Sequence, residues 1–149
     1  MTYFLIAVIV MAALSPLISM MPSRRQKQIA NLRQRASLCG MSVQLLEKPG
    51  SAGTDPLVAF YGRHRQRDDR KGVASIRLRR EGTGWAGQRG AASSAMEDLL
   101  KQLPMGVSHV TEDLHNIGVY WDEQGEEADV EVIDSILKQL LKGSYEKEN

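Results

Sequence analysis

Tyr3-Phe-Leu-Ile-Ala-Val-Ile-Val-Met-Ala-Ala-Leu-Ser-Pro-Leu-Ile-Ser-Met-Met21 is a run of nineteen residues without a charge. Directly after it come Arg24, Arg25, Lys27, Arg33 and Arg35, and the first acid is Glu47. Nineteen helical residues at ~1.5 Å each cover roughly 28 Å, close to the thickness of a hydrocarbon core. The expectation is an anchor over residues 1–22, kinked at Pro16 and ended by Pro22. A cleaved signal peptide wants a basic start and a small-residue cleavage site; Met1 and Thr2 carry no side-chain charge, and large Met20 and Met21 follow Ser19. The basic residues after the run place the rest of the chain on the cytoplasmic side. The sequence therefore reads as a single-pass inner-membrane protein with a cytoplasmic domain.

Working outward, residues 23–40 read as a basic juxtamembrane helix. Ile29, Leu32 and Ala36 form a thin apolar stripe, and Gly40 stops it. Arg24, Arg25, Lys27, Arg33 and Arg35 are its candidate membrane-surface residues, facing anionic headgroups of the lipid bilayer. Charge is uneven along the chain. Residues 23–39 carry +5, residues 40–92 carry +5, and residues 93–149 carry −9. The basic and acidic halves are set either to attract each other or to divide, the basic half facing an anionic membrane and the acidic half facing away. Cys39 is the single cysteine, so no disulfide forms within the chain.

Residues 41–143 are long enough for one α+β domain. Ser42–Leu46 and Leu57–Arg63 read as strands. In Val73–Arg80, Ala74, Ile76 and Leu78 alternate with Ser75, Arg77 and Arg79, the period-two signature of a half-buried strand. Gly82–Gly90 reads as a glycine-rich loop around Trp85. Ser94-x-x-Glu97 is a capping box that starts a helix ending at Pro104. Val107–Thr111 and Ile117–Trp121 are expected to pair. A last helix, 126–141, carries Ala128, Val132, Ile133, Ile136, Leu137, Leu140 and Leu141 on a broad stripe. The expected architecture is one antiparallel or mixed sheet of about five strands covered by two helices, with a disordered tail over 144–149. This element order is similar to that of secretion-chaperone-like adaptor folds, with no shared motif behind the likeness.

Gly82-Thr-Gly-Trp-Ala-Gly87 matches the spacing of a dinucleotide-binding loop. The next helix begins too late for its amides to reach a pyrophosphate, so a hairpin connection is the better reading. His109, Glu112, Asp113 and His115 have metal-ligand side chains. On a strand, however, His109 and His115 lie ~20 Å apart, too far for one ion. No P-loop, nucleophile elbow, CxxC or HExxH is present. No catalytic, metal or cofactor residue is assigned. Arg63, Arg65, Arg67, Arg77 and Arg79 form a candidate surface for an anionic partner, within a basic region that also holds His64, Arg70, Lys71, Arg80 and Arg89, with Tyr61 and Trp85 nearby. Nucleic acid is disfavoured there, because the acidic half repels it. The functional expectation is a protein-binding adaptor or accessory subunit that meets another membrane protein. The alternative is a tethered binder of anionic lipid or nucleic acid through Arg63–Arg89.

Overall fold

The computed structural model describes residues 1–19, 21–51, 53, 55–66 and 75–143, and of residues 17–19 the backbone only. The expected charged turn at 66–72, with Arg67, lies largely outside the described residues. So do the first two positions of the expected 73–80 strand and the tail 144–149. The chain divides into two units, Met1–Ala30 and Asn31–Asn149.

The first unit is dominated by helix α1, Thr2–Ser19. It has 18 residues and carries Pro16 inside it. Among the described residues, no helix is long and apolar enough to cross a membrane. That finding overturns the expected transmembrane anchor, and with it the single-pass inner-membrane placement. What α1 presents is exposed apolar side chains, Phe4, Ile9 and Met11 among them.

Helix α2, Arg24–Leu38, begins in this unit and ends in the second. Ser23 and Gln26 cap it reciprocally. The Gln26 N–H donates to Ser23 Oγ at 3.2 Å, and the Ser23 N–H donates to Gln26 Oε1 at 2.9 Å. That is a capping box with glutamine in the acid's place. At the other end Gly40 takes φ +79°, so the Gly40 and Met41 N–H groups reach Ser37 O and Ala36 O, each at 2.9 Å. Such a left-handed C-terminal residue stops a helix while satisfying its last carbonyls. Leu32 and Ala36 are buried in the core of the second unit.

Among the described residues that unit contains six strands: β1 Ser42–Leu46, β2 Val58–His64, β3 Ile76–Glu81, β4 Gly84–Arg89, β5 Val107–Glu112 and β6 Asn116–Trp121. They form one sheet, ordered β1-β2-β6-β5-β3-β4, with every pair antiparallel. Helices α3, Ser94–Leu100, and α4, Glu127–Gly143, complete it. The expected five strands become six because the glycine-rich stretch is itself a strand. Gly82, at φ +59°, is the first residue of a two-residue turn that returns β3 into β4. Three helices, not two, contribute buried side chains: Leu32 and Ala36 from α2, Met96 and Leu100 from α3, and six residues from α4.

One row of the sheet, Val43-Tyr61-Val119-Val110-Leu78-Gly87, runs across all six strands into this core. The cap of α3 is Ser93, whose Oγ accepts the Met96 N–H at 3.3 Å, one residue before the expected Ser94. On α4, Val130 is buried while Val132 and Ala128 are exposed, which rotates the first turn from the expected stripe.

Candidate functional site

Because strand side chains alternate, the arginines of the basic region divide between the two faces of the sheet. Arg63 and Arg65 point to the helix side. Arg63 donates to Asp134 of α4 and to the Cys39 carbonyl, and Asp134 also meets Lys138 at 2.6 Å. Arg65 is 2% exposed and donates Nη2 to buried Glu112. Among the described residues its Nε and Nη1 have no hydrogen-bond partner. Arg80 donates to Leu103 O at 3.0 Å and Pro104 O at 2.8 Å and stacks 5.0 Å over Trp85. Burial lowers its pKa.

The candidate membrane-surface arginines of α2 divide as well. Arg33 forks onto Glu123, at 2.7 and 2.8 Å, and Tyr61 donates its hydroxyl to the same carboxylate at 2.8 Å. Glu123 holds Arg33 protonated to higher pH; burial, then Glu123, pushes the Tyr61 phenol well above its ordinary value. Glu123 takes φ +59°, a conformation uncommon outside glycine, which these two partners hold in place. Arg35 pairs with Glu131 on the surface. Arg24, Arg25 and Lys27 are exposed in the first unit. Each of the four pairs thus joins a basic residue between 33 and 65 to an acid between 112 and 134.

Among the described residues, no helix of the core packs against the opposite face. Two rows cross it. The first is Gln44-Phe60-Tyr120-His109-Arg79-Ala86, and the second is Ser42-Gly62-Gly118-Thr111-Arg77-Arg89. Glycine at 62 and 118 is a packing requirement. A Cβ would come to 2.6 Å from the Phe60 ring at Gly62 and closer still at Gly118, since the ring leans over both. Phe60 and Tyr120 meet at 5.1 Å and 55°, and Tyr120 and His109 at 6.0 Å and 75°.

This aromatic row is nearly covered: Phe60 and Tyr120 are each 8% exposed and His109 is 6%. Part of the β1–β2 connection comes near this face. Gly50 approaches Gln88 of β4, the other edge strand, with a Cβ placed 3.9 Å from its Nε2. Lys48 and Pro49 are half-buried, and Lys48 acts on His109. His109 Nδ1 lies 3.1 Å from Ser108 Oγ. Burial, then Arg79, Lys48 and Arg77, holds the His109 pKa below the ordinary imidazole value.

At the β3–β4 end of this face, Arg77, Arg79 and Arg89 are exposed. Among the described residues, none of the ion pairs involves them. Glu81 shares their face two residues beyond Arg79 without reaching ion-pair distance. Arg77 and Arg89 stand directly opposite across β3 and β4. Like charges so placed cost about 0.2–1 kcal/mol, so the fold retains them at a small loss of stability.

The other motifs disperse. Gly82 turns a hairpin and Gly84 and Gly87 lie within β4. Glu112 is engaged by Arg65, and Asp113 Oδ1 accepts the His115 and Asn116 N–H groups at 2.7 Å each. Among the described residues no group of three or more His, Cys, Asp or Glu could hold a metal ion. The sequence reading named Arg77 and Arg79 but not the row Phe60, Tyr120 and His109. The signal for that row was the alternation within β2 and β6, which shows only once their pairing is known. No family model, curated protein or solved structure matches the chain.

Proposed function

We propose that the chain works by binding: its α+β domain is an adaptor that holds an acidic segment of another protein against the β3–β4 end of the open sheet face. One observation supports this. Arg77, Arg79 and Arg89 occupy neighbouring register positions, exposed and outside every ion pair among the described residues. Residues i and i+2 of a strand are ~6.6 Å apart and directly paired residues ~5 Å, so three guanidinium groups arise from one small patch. A compact cluster of arginines suits a short acidic motif. A single-stranded polynucleotide wants a cationic track with open ring faces on which bases stack. Here the cations gather at one end, and Phe60 and Tyr120 are almost covered.

The test compares an Asp/Glu-rich peptide with a single-stranded oligonucleotide of equal charge, by fluorescence anisotropy on the full chain. The peptide is expected to bind, to weaken as salt rises, and to lose binding in Arg77→Glu/Arg79→Glu. Preference for the oligonucleotide, or binding that ignores salt and the double reversal, would overturn the reading.

A further inference from the structure

We propose that the group recognised by Arg77, Arg79 and Arg89 is a doubly charged phosphoryl group, carried on a phosphorylated side chain of the bound segment. The inference rests on the acidic-segment reading and narrows it. A single carboxylate brings one negative charge to three guanidinium groups, so it leaves most of their positive charge unneutralised. A phosphorylated side chain carries nearly two charges near neutral pH and three acceptor oxygens.

The patch is composed to match. All three cations are arginines, whose planar forks pair with phosphate oxygens bidentately. Thr111 lies in register with Arg77, adding a hydroxyl at the inner side of the cluster. Ala86 lies in register with Arg79, and its small side chain leaves room above the edge strand. Lys48 adds a fourth positive charge from the β1–β2 connection, close enough to act on His109 beside Arg79. The opposed pair Arg77 and Arg89 has a reason on this account, since a divalent anion between them turns their repulsion into attraction.

The experiment uses the purified full chain and two peptides of identical acidic sequence, one with serine and one with phosphoserine at the centre. Inorganic phosphate serves as competitor. The phosphopeptide is expected to bind about tenfold tighter, and Arg89→Gln to weaken the phosphopeptide by a larger factor than the unphosphorylated peptide, closing most of the gap between them. Displacement by inorganic phosphate only at concentrations far above the phosphopeptide is also expected, because the peptide supplies further contacts. Equal affinity of the two peptides overturns the phosphoryl inference and leaves the acidic-segment reading in place. Failure of both peptides overturns both. Inorganic phosphate binding as tightly as the phosphopeptide supports the dianion site and rejects the bound segment. Arg89 is exposed on an edge strand, and an unchanged circular dichroism spectrum of Arg89→Gln separates lost recognition from lost folding.

Discussion

The two faces of the sheet use the same side chain for opposite purposes. On the helix face, Arg63 and Arg65 are enclosed, each against a carboxylate. On the open face, Arg77 and Arg79 are exposed, and across from Arg77 stands another arginine. The difference follows from solvation. A buried guanidinium must be answered by acid or carbonyl within the chain, because removing it from water costs several kcal/mol. An exposed one keeps its water and tolerates a like-charged neighbour at about 1 kcal/mol or less. Arginines on the helix face are therefore bound to the fold, while those on the open face remain available to something outside it.

The comparison breaks most visibly at Arg65. Arg65→Met leaves Glu112 buried without its main cation, and a loss of about 3–5 kcal/mol is expected in urea unfolding. Arg65→Met/Glu112→Leu should recover most of it, because the remaining cavity is apolar and similarly filled. A single variant as stable as the parent would show that the pair is solvated. Next comes the point where α2 is fastened. Glu123→Ala removes the fork to Arg33 and the acceptor of the Tyr61 hydroxyl together, for an expected loss of about 2–3 kcal/mol. Tyr61→Phe, which removes one bond, should cost about 0.5–1.5 kcal/mol.

The division between the faces was partly legible in the sequence. The alternation of Ile76 and Leu78 with Arg77 and Arg79 is local and strong, and it put these arginines on the face away from the core. The stop signal of α2 at Gly40, the first residue of β5 and the last residue of β6 were local too. What was hidden depends on contacts distant in the chain. β6 inserts between β2 and β5, and only that pairing aligns Phe60, Tyr120 and His109. Charge asymmetry left open whether the basic and acidic stretches attract, and did not show that Arg33 would find Glu123 ninety residues away. β4 was obscured by composition. Gly84 and Gly87 read as breakers because glycine has no side chain to declare a face, so Arg89 was not seen to oppose Arg77. The apolar run of α1 was read from composition, whereas among the described residues no helix is long and apolar enough to cross a membrane.

On the open face the effects should be small. Arg77→Ser and Arg79→Ser are each expected to change stability by no more than about 0.5 kcal/mol, and Arg89→Ser to be neutral or slightly stabilising as the repulsion is relieved. Thermal unfolding of the three variants checks this. A loss above about 2 kcal/mol from any of them would mean that the residue is fastened within the fold, and the contrast between the faces would fail.

The smallest effect lies where the two regimes meet, at His109, which belongs to the open face yet is 6% exposed. Burial and the charges of Arg79, Lys48 and Arg77 depress its pKa in the folded chain, so the native state favours the neutral ring. An unfolded histidine titrates near 6.5. As pH falls through that value the unfolded chain takes up the proton first, and stability declines toward the folded pKa. Above the unfolded pKa the contribution is fully present. His109→Gln should therefore flatten the acid side of the stability curve below about pH 6.5 while leaving its shape above that pH unchanged. The ring itself gives the more direct reading. In Arg79→Gln, whose substituted charge is the largest of the three acting on His109, the imidazole resonances should titrate at higher pH than in the parent. An unmoved titration would mean that Arg79 is screened from the ring by solvent, and that the covering of the aromatic row is looser than the exposures of Phe60, Tyr120 and His109 imply.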